Sequence, residues 1–308
     1  MRKWSLLSIP YVELHCHSGF SFLDGASHPE ELAVRAAEFG YPALALTDHN
    51  GLYGSMEFAH AARRVNVQPI TGAEVTLRDC FPGVEEPEGG HHVTLLAETP
   101  QGYANLCRLL TEAHMGSERG DTRLALPSLL ELSEGLILLS GCAQSPVAAA
   151  MRSSVADGEA FTRKLLDVFG PGSMFMELQD NAVKGDTARN KTLARLAGRM
   201  GLGVVATSNV HYHRPERHRL QDVLVSIKNR ATLDGAHGAR RANKLFHLPE
   251  PWDMRHRFES RPEALTNTLL IAERCAAFDL TEDLGYEFPD FEGSARGGAI
   301  ESLAAMCL

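Results

Sequence analysis

Short aliphatic or β-branched runs alternate along this chain with stretches whose apolar residues recur every three to four positions. The run 11–15 is followed by a segment that opens on Pro29, Glu30 and Glu31 and stops at Gly40. Pro in a first turn and Gly just past a last one are the end signals of a helix. The same unit then recurs. The run 43–47 precedes a helix over about 55–65, and 69–75 follows it; 93–97 precedes a helix over 103–114; 136–140 precedes helices over 145–151 and 157–169; 174–178 precedes 187–200; the last run is 204–207. Strands alternating with helices predict an α/β fold with a parallel sheet. Seven such runs suit a closed or nearly closed barrel, with an open doubly wound sheet as the alternative. The stretch 81–90, acidic and rich in Gly and Pro, reads as a surface loop. Beyond His211 the strand pattern stops: 215–228 reads as helical, 231–244 as irregular and basic, 262–278 as helical, and 299–308 as a helix without a closing signal.

The strand ends carry the chemistry. The first run closes on His15-Cys16-His17, and alternating residues of a strand face one side, so both imidazoles can reach one ion. Asp24 lies seven residues beyond His17. The next runs end on Thr47-Asp48-His49 and Gly72-Ala73-Glu74, the fourth begins His91-His92, the fifth ends Ser140-Gly141-Cys142, the sixth runs Glu177 to Asn181, and the seventh ends Asn209-Val210-His211. A single His at a strand end is ordinarily a hydrogen-bonded structural residue, and a single Cys is ordinarily packing. Recurrence of His, Asp, Glu and Cys at successive strand ends is what a metal centre requires. In strand–helix barrels functional side chains collect at those ends.

Composition adds bounds. With 308 residues, 44% hydrophobic and 22% charged, the chain has the make-up of an ordinary globular protein able to bury a large core. No apolar run is long enough to span a bilayer, and the start does not read as a signal peptide, so no membrane partner and a cytoplasmic location are expected. The six scattered cysteines read as reduced thiols. The net charge of −9 argues against nucleic acid, but 214–261 holds eleven Lys/Arg against six Asp/Glu. Within it Arg240, Arg241 and Lys244 are candidate nucleic-acid contacts.

The motifs "ELHCHSGFSFLDGA", "ALTDHNGLYG", "PITGAEV", "HVTLLAETPQGYANLCRL" and "LLSGC" resemble the PHP (polymerase and histidinol phosphatase) domain at the start of bacterial C-family DNA polymerases, the DNA polymerase III alpha type. "ATSNVHYHRPERHRLQDVLVSIK" and "LTEDLGYEFPDF" are most similar to the error-prone, damage-associated branch. The resemblance implies a distorted seven-stranded (β/α) barrel, TIM-barrel-like, over 11–213, after a lead over 1–10. A mainly helical, basic extension over 214–308 would lead into a polymerase core whose catalytic carboxylates lie beyond it. Carried onto this chain, the family's metal ligands fall on His15, His17, Asp24, His49, Glu74, His92, Cys142 and His211, with Asn181 and Asn209 at the two remaining positions. There the fullest form of the pattern carries His and Asp. A neutral amide is a poorer ligand, so one or two ions (Zn, Mn or Fe) are expected rather than three.

The resemblance further implies Mg for the polymerase core, with primer-template DNA, deoxynucleotides and accessory replication or mutagenesis proteins as partners. The metal site would then be structural or weakly active. The alternatives are a metal-dependent 3′–5′ exonuclease and a free-standing phosphoesterase of the histidinol-phosphatase type. A metal-dependent amidohydrolase fits less well, because no lysine stands at a middle strand end.

Overall fold

The computed structural model describes residues 10–285, apart from 82, 85, 86, 88 and 119, together with 299–307. The apolar runs form strands buried on both faces. They are β1 (Ala43–Leu46), β2 (Gln68–Arg78), β3 (His91–Ala97), β4 (Leu124–Ala125), β5 (Leu136–Leu139), β6 (Met174–Gln179) and β7 (Gly203–Thr207). They make one sheet in the order β1-β2-β3-β5-β6-β7, with β4 paired to β2. Helices α1 (Pro29–Glu38), α2 (Ser55–Arg64), α3 (Pro100–Met115), α4 (Leu126–Glu131), α5 (Pro146–Ser153), α6 (Val155–Phe169) and α7 (Asp186–Met200) connect the strands. Their starts follow from local chemistry. Pro29 opens α1, while Thr99, Ser145 and Ser154 cap α3, α5 and α6 by accepting the amides of Gly102, Ala148 and Asp157.

Two strand expectations are corrected. The first run does not form a regular strand; it touches its neighbours only at isolated bridges, Glu13 to Leu44 and Cys16 to Val210. Side-chain acceptors take the amides a ladder would use. Val12 N donates to Thr268 Oγ1 (3.3 Å), His15 N to Glu13 Oε1 (2.9 Å) and Cys16 N to Thr47 Oγ1 (3.0 Å). The segment nonetheless spans the gap between the sheet's two edges. Ala45 N and Thr47 N donate to Glu13 O and Cys16 O on one side, and His17 N and Val210 N exchange bonds with Val210 O and His15 O on the other. The sheet thereby curls into a distorted barrel. Nor is the sheet parallel throughout: β3 runs antiparallel to both β2 and β5. Among the described residues between β2 and β3 there is no crossover helix of the kind parallel neighbours need. The reversal has a consequence for the site. It brings the beginning of β3, His92 opposite Thr76, to the rim formed by the ends of the parallel strands.

The barrel interior is filled by residues drawn from nearly every strand: Val12, Leu14, Ala43, Ala45, Ile70, Leu96, Ile137, Leu139, Phe175 and Val205. The extension continues this core. After α8 (His218–Lys228) and α9 (Pro251–Arg257) comes α10 (Pro262–Cys275), whose Ile271, Ala272 and Cys275 join the same cluster; α11 (Ala299–Cys307) is the last described element. Polar contacts place α10 across the lower rim. Gln68 Nε2 donates to Ala272 O (2.8 Å), Asn267 Nδ2 to Val204 O (2.8 Å), and Arg274 pairs with Glu98 (2.7 Å). Gln68 and Val204 stand at strand beginnings and Glu98 just past the end of antiparallel β3. One end of the barrel is therefore sealed by α10, leaving the opposite rim for the strand-end side chains. Among the described residues no helix is long and apolar enough to cross a membrane. Most of the "LGYEFPDF" stretch, and the 1–9 part of the lead, lie outside the described residues.

Candidate metal centre

At the open rim most of the histidines picked out by sequence converge on one carboxylate. Glu74 is 1% exposed. Its Oε2 lies 3.5 Å from His15 Nε2, 3.3 Å from His17 Nε2 and 3.0 Å from His49 Nδ1; its Oε1 lies 3.2 Å from His92 Nδ1. Asp24 stands at the edge of the group, its Oδ2 3.2 Å from His49 Nε2 and 3.5 Å from His211 Nε2. His17 joins the two halves: its ring stacks on His49 at 4.3 Å and lies 4.4 Å from His211.

The backs of these rings fix which nitrogen faces inward. His15 Nδ1 sits 2.7 Å from Glu177 Oε1, an obligate acceptor, so the ring proton belongs there. His211 Nδ1 donates to Asn209 O (2.8 Å), and His92 Nε2 donates to Gly89 O (2.9 Å). His17 Nδ1 meets Ser21 Oγ (3.2 Å), whose own proton goes to Asp48 Oδ1 (2.7 Å). In each case the opposite nitrogen is the one turned to the centre, the arrangement by which outer partners set the tautomer of metal-binding histidines; on His211 that nitrogen already accepts from Arg241 Nη2. Asp48 also accepts Ser18 N and Ser18 Oγ at 2.7 Å each, which shapes the loop bearing Asp24. Gly25 is required in that loop, since a Cβ there would meet Ser18 O at 1.8 Å. Gly141, at φ +92°, lets the turn before Cys142 approach the His92 backbone, where a Cβ would meet His92 O at 2.2 Å.

Burial and charge act against each other here. Burial alone would raise Glu74, but the facing His92, His15 and His49 hold it well below the usual carboxylate range. Burial pulls His15 down, and the Glu177 and Glu74 charges more than reverse that. His17 is pushed well below the ordinary histidine value by burial and then by His49 and His211. His211 falls to about 4 through burial and the Arg241 charge. His17 and His211 are thus neutral bases near neutral pH, the form that binds metal.

A divalent ion fits this donor set. His15 Nε2 and His17 Nε2 are buried without a hydrogen-bond partner. Two ligands held tetrahedrally at about 2.0–2.1 Å from one ion stand about 3.3–3.4 Å apart, close to the observed 3.3 and 3.5 Å from each ring to Glu74. Three ligand triplets share members: His15, His17 and Glu74; His49, Glu74 and His92; His17, His49 and His211.

The remaining expected positions are less integrated. Cys142 Sγ meets the group at His92 Nδ1, at 3.9 Å. Asn181 Nδ2 donates to Ser208 O (2.9 Å), and the Oδ1 atoms of Asn181 and Asn209 are buried without partners. Asn209 adopts a left-handed backbone, φ 49°, the turn that presents His211. Of the three expected nucleic-acid contacts, Lys244 is exposed, Arg240 pairs with Asp222 (3.0 Å), and Arg241 points inward to Asp24 (3.3 Å) and His211. Two contributors escaped the sequence reading as site residues. Glu177 orients His15 and is itself held by Gln179 Nε2 (2.8 Å) and Thr207 Oγ1. Gln221 on α8 donates to Asp24 Oδ1 (3.1 Å). The alternation Glu177, Gln179 on β6 signalled the first; nothing local to α8 signals the second.

A model of the PHP domain family matches residues 13–181, more than half of the chain. The chain belongs to the PHP domain family. The PHP region and the extension behind it are similar to the error-prone DNA polymerase of Symbiobacterium thermophilum, 41% identical over 302 residues, 92% of this chain and 27% of that protein. The error-prone DNA polymerase of Mycolicibacterium paratuberculosis is 40% identical over 272 residues, 87% of this chain and 25% of that one. The chain thus spans about a quarter of the length of these relatives. Among solved structures, a two-domain protein from Bacteroides vulgatus containing a predicted PHP-like metal-dependent phosphoesterase has a TM-score of 0.41 and 14% identity, covering 68% of this chain and 57% of that one.

The PHP centre makes a direct prediction about metal content. Elemental analysis after dialysis without chelator should find one to two equivalents of Zn, Mn or Fe. Replacing His15 and His17 together by Ala should lower that content and the melting temperature in parallel. A metal-free parent of unchanged stability would remove the centre as described.

Proposed function

We propose that this chain is the N-terminal, metal-binding region of an error-prone DNA polymerase of the C family, and that its PHP centre holds one or two divalent ions mainly to steady the barrel rim. The observation that carries the polymerase reading is the reach of the similarity. It covers 92% of the chain, whereas the PHP match ends at 181. The extension is therefore shared with the polymerases as well, and a free-standing phosphatase has no evident use for it. On this reading 1–10 is a lead, 11–213 the PHP barrel, and 214–308 the start of the polymerase core. The full protein would be a nucleotidyltransferase using Mg, primer-template DNA and deoxynucleotides in the cytoplasm. It would serve DNA replication and the tolerance or repair of damage together with accessory proteins. Contacts from the basic 214–261 segment to DNA fall to exposed groups such as Lys244, since Arg240 and Arg241 are engaged.

The structural role of the ions is supported by the two asparagines. Neither brings charge, the Asn181 amide nitrogen is already committed to Ser208 O, and the contact of Asn209 with His211 runs through its backbone carbonyl. Metal binding then contributes to folding, because the ligands are assembled only in the native chain.

One feature supports phosphoester hydrolysis as a second reading, in the form of a 3′–5′ exonuclease. Glu74 presents Oε2 to His15 and His17 and Oε1 to His92, so it can bridge two ions. Paired ions supply a clamp that polarises a phosphoryl oxygen and stabilises the leaving one. The residues of this chain would hold that clamp: Glu74 between the ions, His49 linking Glu74 to Asp24, and Ser21 and Glu177 fixing the rings of His17 and His15.

One test bears on the polymerase reading and another on the role of the ions. The gene's reading frame should continue past Leu308 into a palm bearing an Asp-x-Asp pair; a stop codon directly after it would favour a free-standing phosphoesterase. The second test compares the parent with the double variant Asn181→His, Asn209→Asp. The parent should release no nucleotides from a labelled 3′ end, while the double variant, with Arg241→Met added to free His211 Nε2, should bind an additional ion and gain slow metal-dependent release. Robust nuclease activity in the parent, abolished by His49→Ala, would contradict the structural role.

A further inference from the structure

Arg241 is the one expected DNA contact that the fold turns into the metal centre. It leaves the irregular segment after α8, and that segment is tied down at several points. Asn243 Nδ2 donates to Asn181 O (2.7 Å), Leu245 N to Asn243 Oδ1 (2.8 Å), His211 N to Phe246 O (2.8 Å) and Leu248 N to Tyr212 O (3.0 Å). The buried Phe246 ring lies under the guanidinium, 4.6 Å from its carbon, a cation–π contact that holds the group against the rim. From there Nη2 reaches Asp24 at 3.3 Å (Oδ1) and 3.5 Å (Oδ2) and hydrogen-bonds His211 Nε2.

We propose that Arg241 is a built-in cation of the centre: it takes the place that an ion ligated by His211 would need, and so keeps the Asp24–His49–His211 side of the rim free of metal. The inference rests on the reading of the rim as a metal centre and goes beyond it by assigning one position to the protein itself. The Nδ1 proton of His211 is given to Asn209 O, so Nε2 has a single lone pair. An N–H donor or a metal ion can use it, not both. Arg241 uses it. A guanidinium has a fixed positive charge and no acceptor, so it can stand where a cation would but cannot ligate one. Asp24 is shared in the same way: its oxygens already serve Arg241, Gln221 and His49. The ligand set His15, His17 and Glu74 has no such occupant, and its two Nε2 atoms are buried and unpartnered. The uncharged Asn209 beside His211 acts in the same direction as Arg241, since together they leave that side two unit charges less negative than an Asp and no Arg would.

The test counts ions. Parent, Arg241→Met and Arg241→Gln chains are stripped with chelator, dialysed against Mn2+ and then against buffer, and analysed for bound metal; thermal melting by circular dichroism confirms folding. Met keeps the contact with Phe246 without charge, and Gln covers the case in which Met fails to fold. Each folded variant should hold one more equivalent than the parent, and adding His211→Ala should return the number to the parental value. Equal metal in parent and variants would overturn this inference while leaving the metal centre intact. Ions absent from every chain would overturn both.

Discussion

The rim is organised around one buried carboxylate that is approached by more imidazoles than it can satisfy. Glu74 has His15, His17, His49 and His92 within 3.0–3.5 Å, yet hydrogen bonds to other groups already fix the ring protons of His15, His17 and His92 on their outer nitrogens. Bare lone pairs facing an anion in a buried site are unfavourable unless a positive charge lies between them. The fold supplies positive charge at several points. Against burial, the carboxylates favour protonation of His15, His92 and His49 around Glu74, and Arg241 enters beside Asp24. A divalent ion would replace the first arrangement with a better one. Much of the surrounding structure serves this junction: α10 seals the far end of the barrel, β3 reverses to deliver His92, and the 11–17 segment gives up regular pairing to deliver His15 and His17.

A good part of this was legible from sequence because it depends on local pattern. Strand–helix alternation, the helix starts at Pro29 and Ser145, and the chemistry at the ends of 43–47, 69–75 and 204–207 all follow from periodicity and residue type over a few positions. The histidines that the fold brings together at the rim were legible for the same reason. What escaped depends on non-local partners. The amides of Val12 and Cys16 go to Thr268 and Thr47, far away in sequence, so a run that reads as a strand forms only isolated bridges. The reversal of β3 had a local trace, since no helical stretch separates 69–75 from 93–97, yet alternation elsewhere outweighed it. Arg241 read as surface charge because nothing in 231–244 reveals that Phe246 and Tyr212 would fold it back over the rim.

Similarity and geometry bear on different parts of the question. Family membership accounts for the barrel and its rim, and the error-prone polymerases share the extension too. The division of labour within the rim comes from geometry alone. One side has unpartnered ring nitrogens around Glu74, and the other has Arg241 on His211 and amides at 181 and 209. A centre divided in this way suits holding an ion better than completing a multi-ion catalytic set, since hydrolysis needs correctly spaced ions while stability needs one that is well held.

The most direct measurement is anomalous diffraction from crystals grown with Mn2+ or Zn2+. The account predicts a peak at the point shared by His15 Nε2, His17 Nε2 and Glu74 Oε2, about 2.0–2.2 Å from each, and no peak on His211 Nε2. Crystals with ordered side chains but no peak between those three atoms, or with the strongest peak on His211, would contradict it.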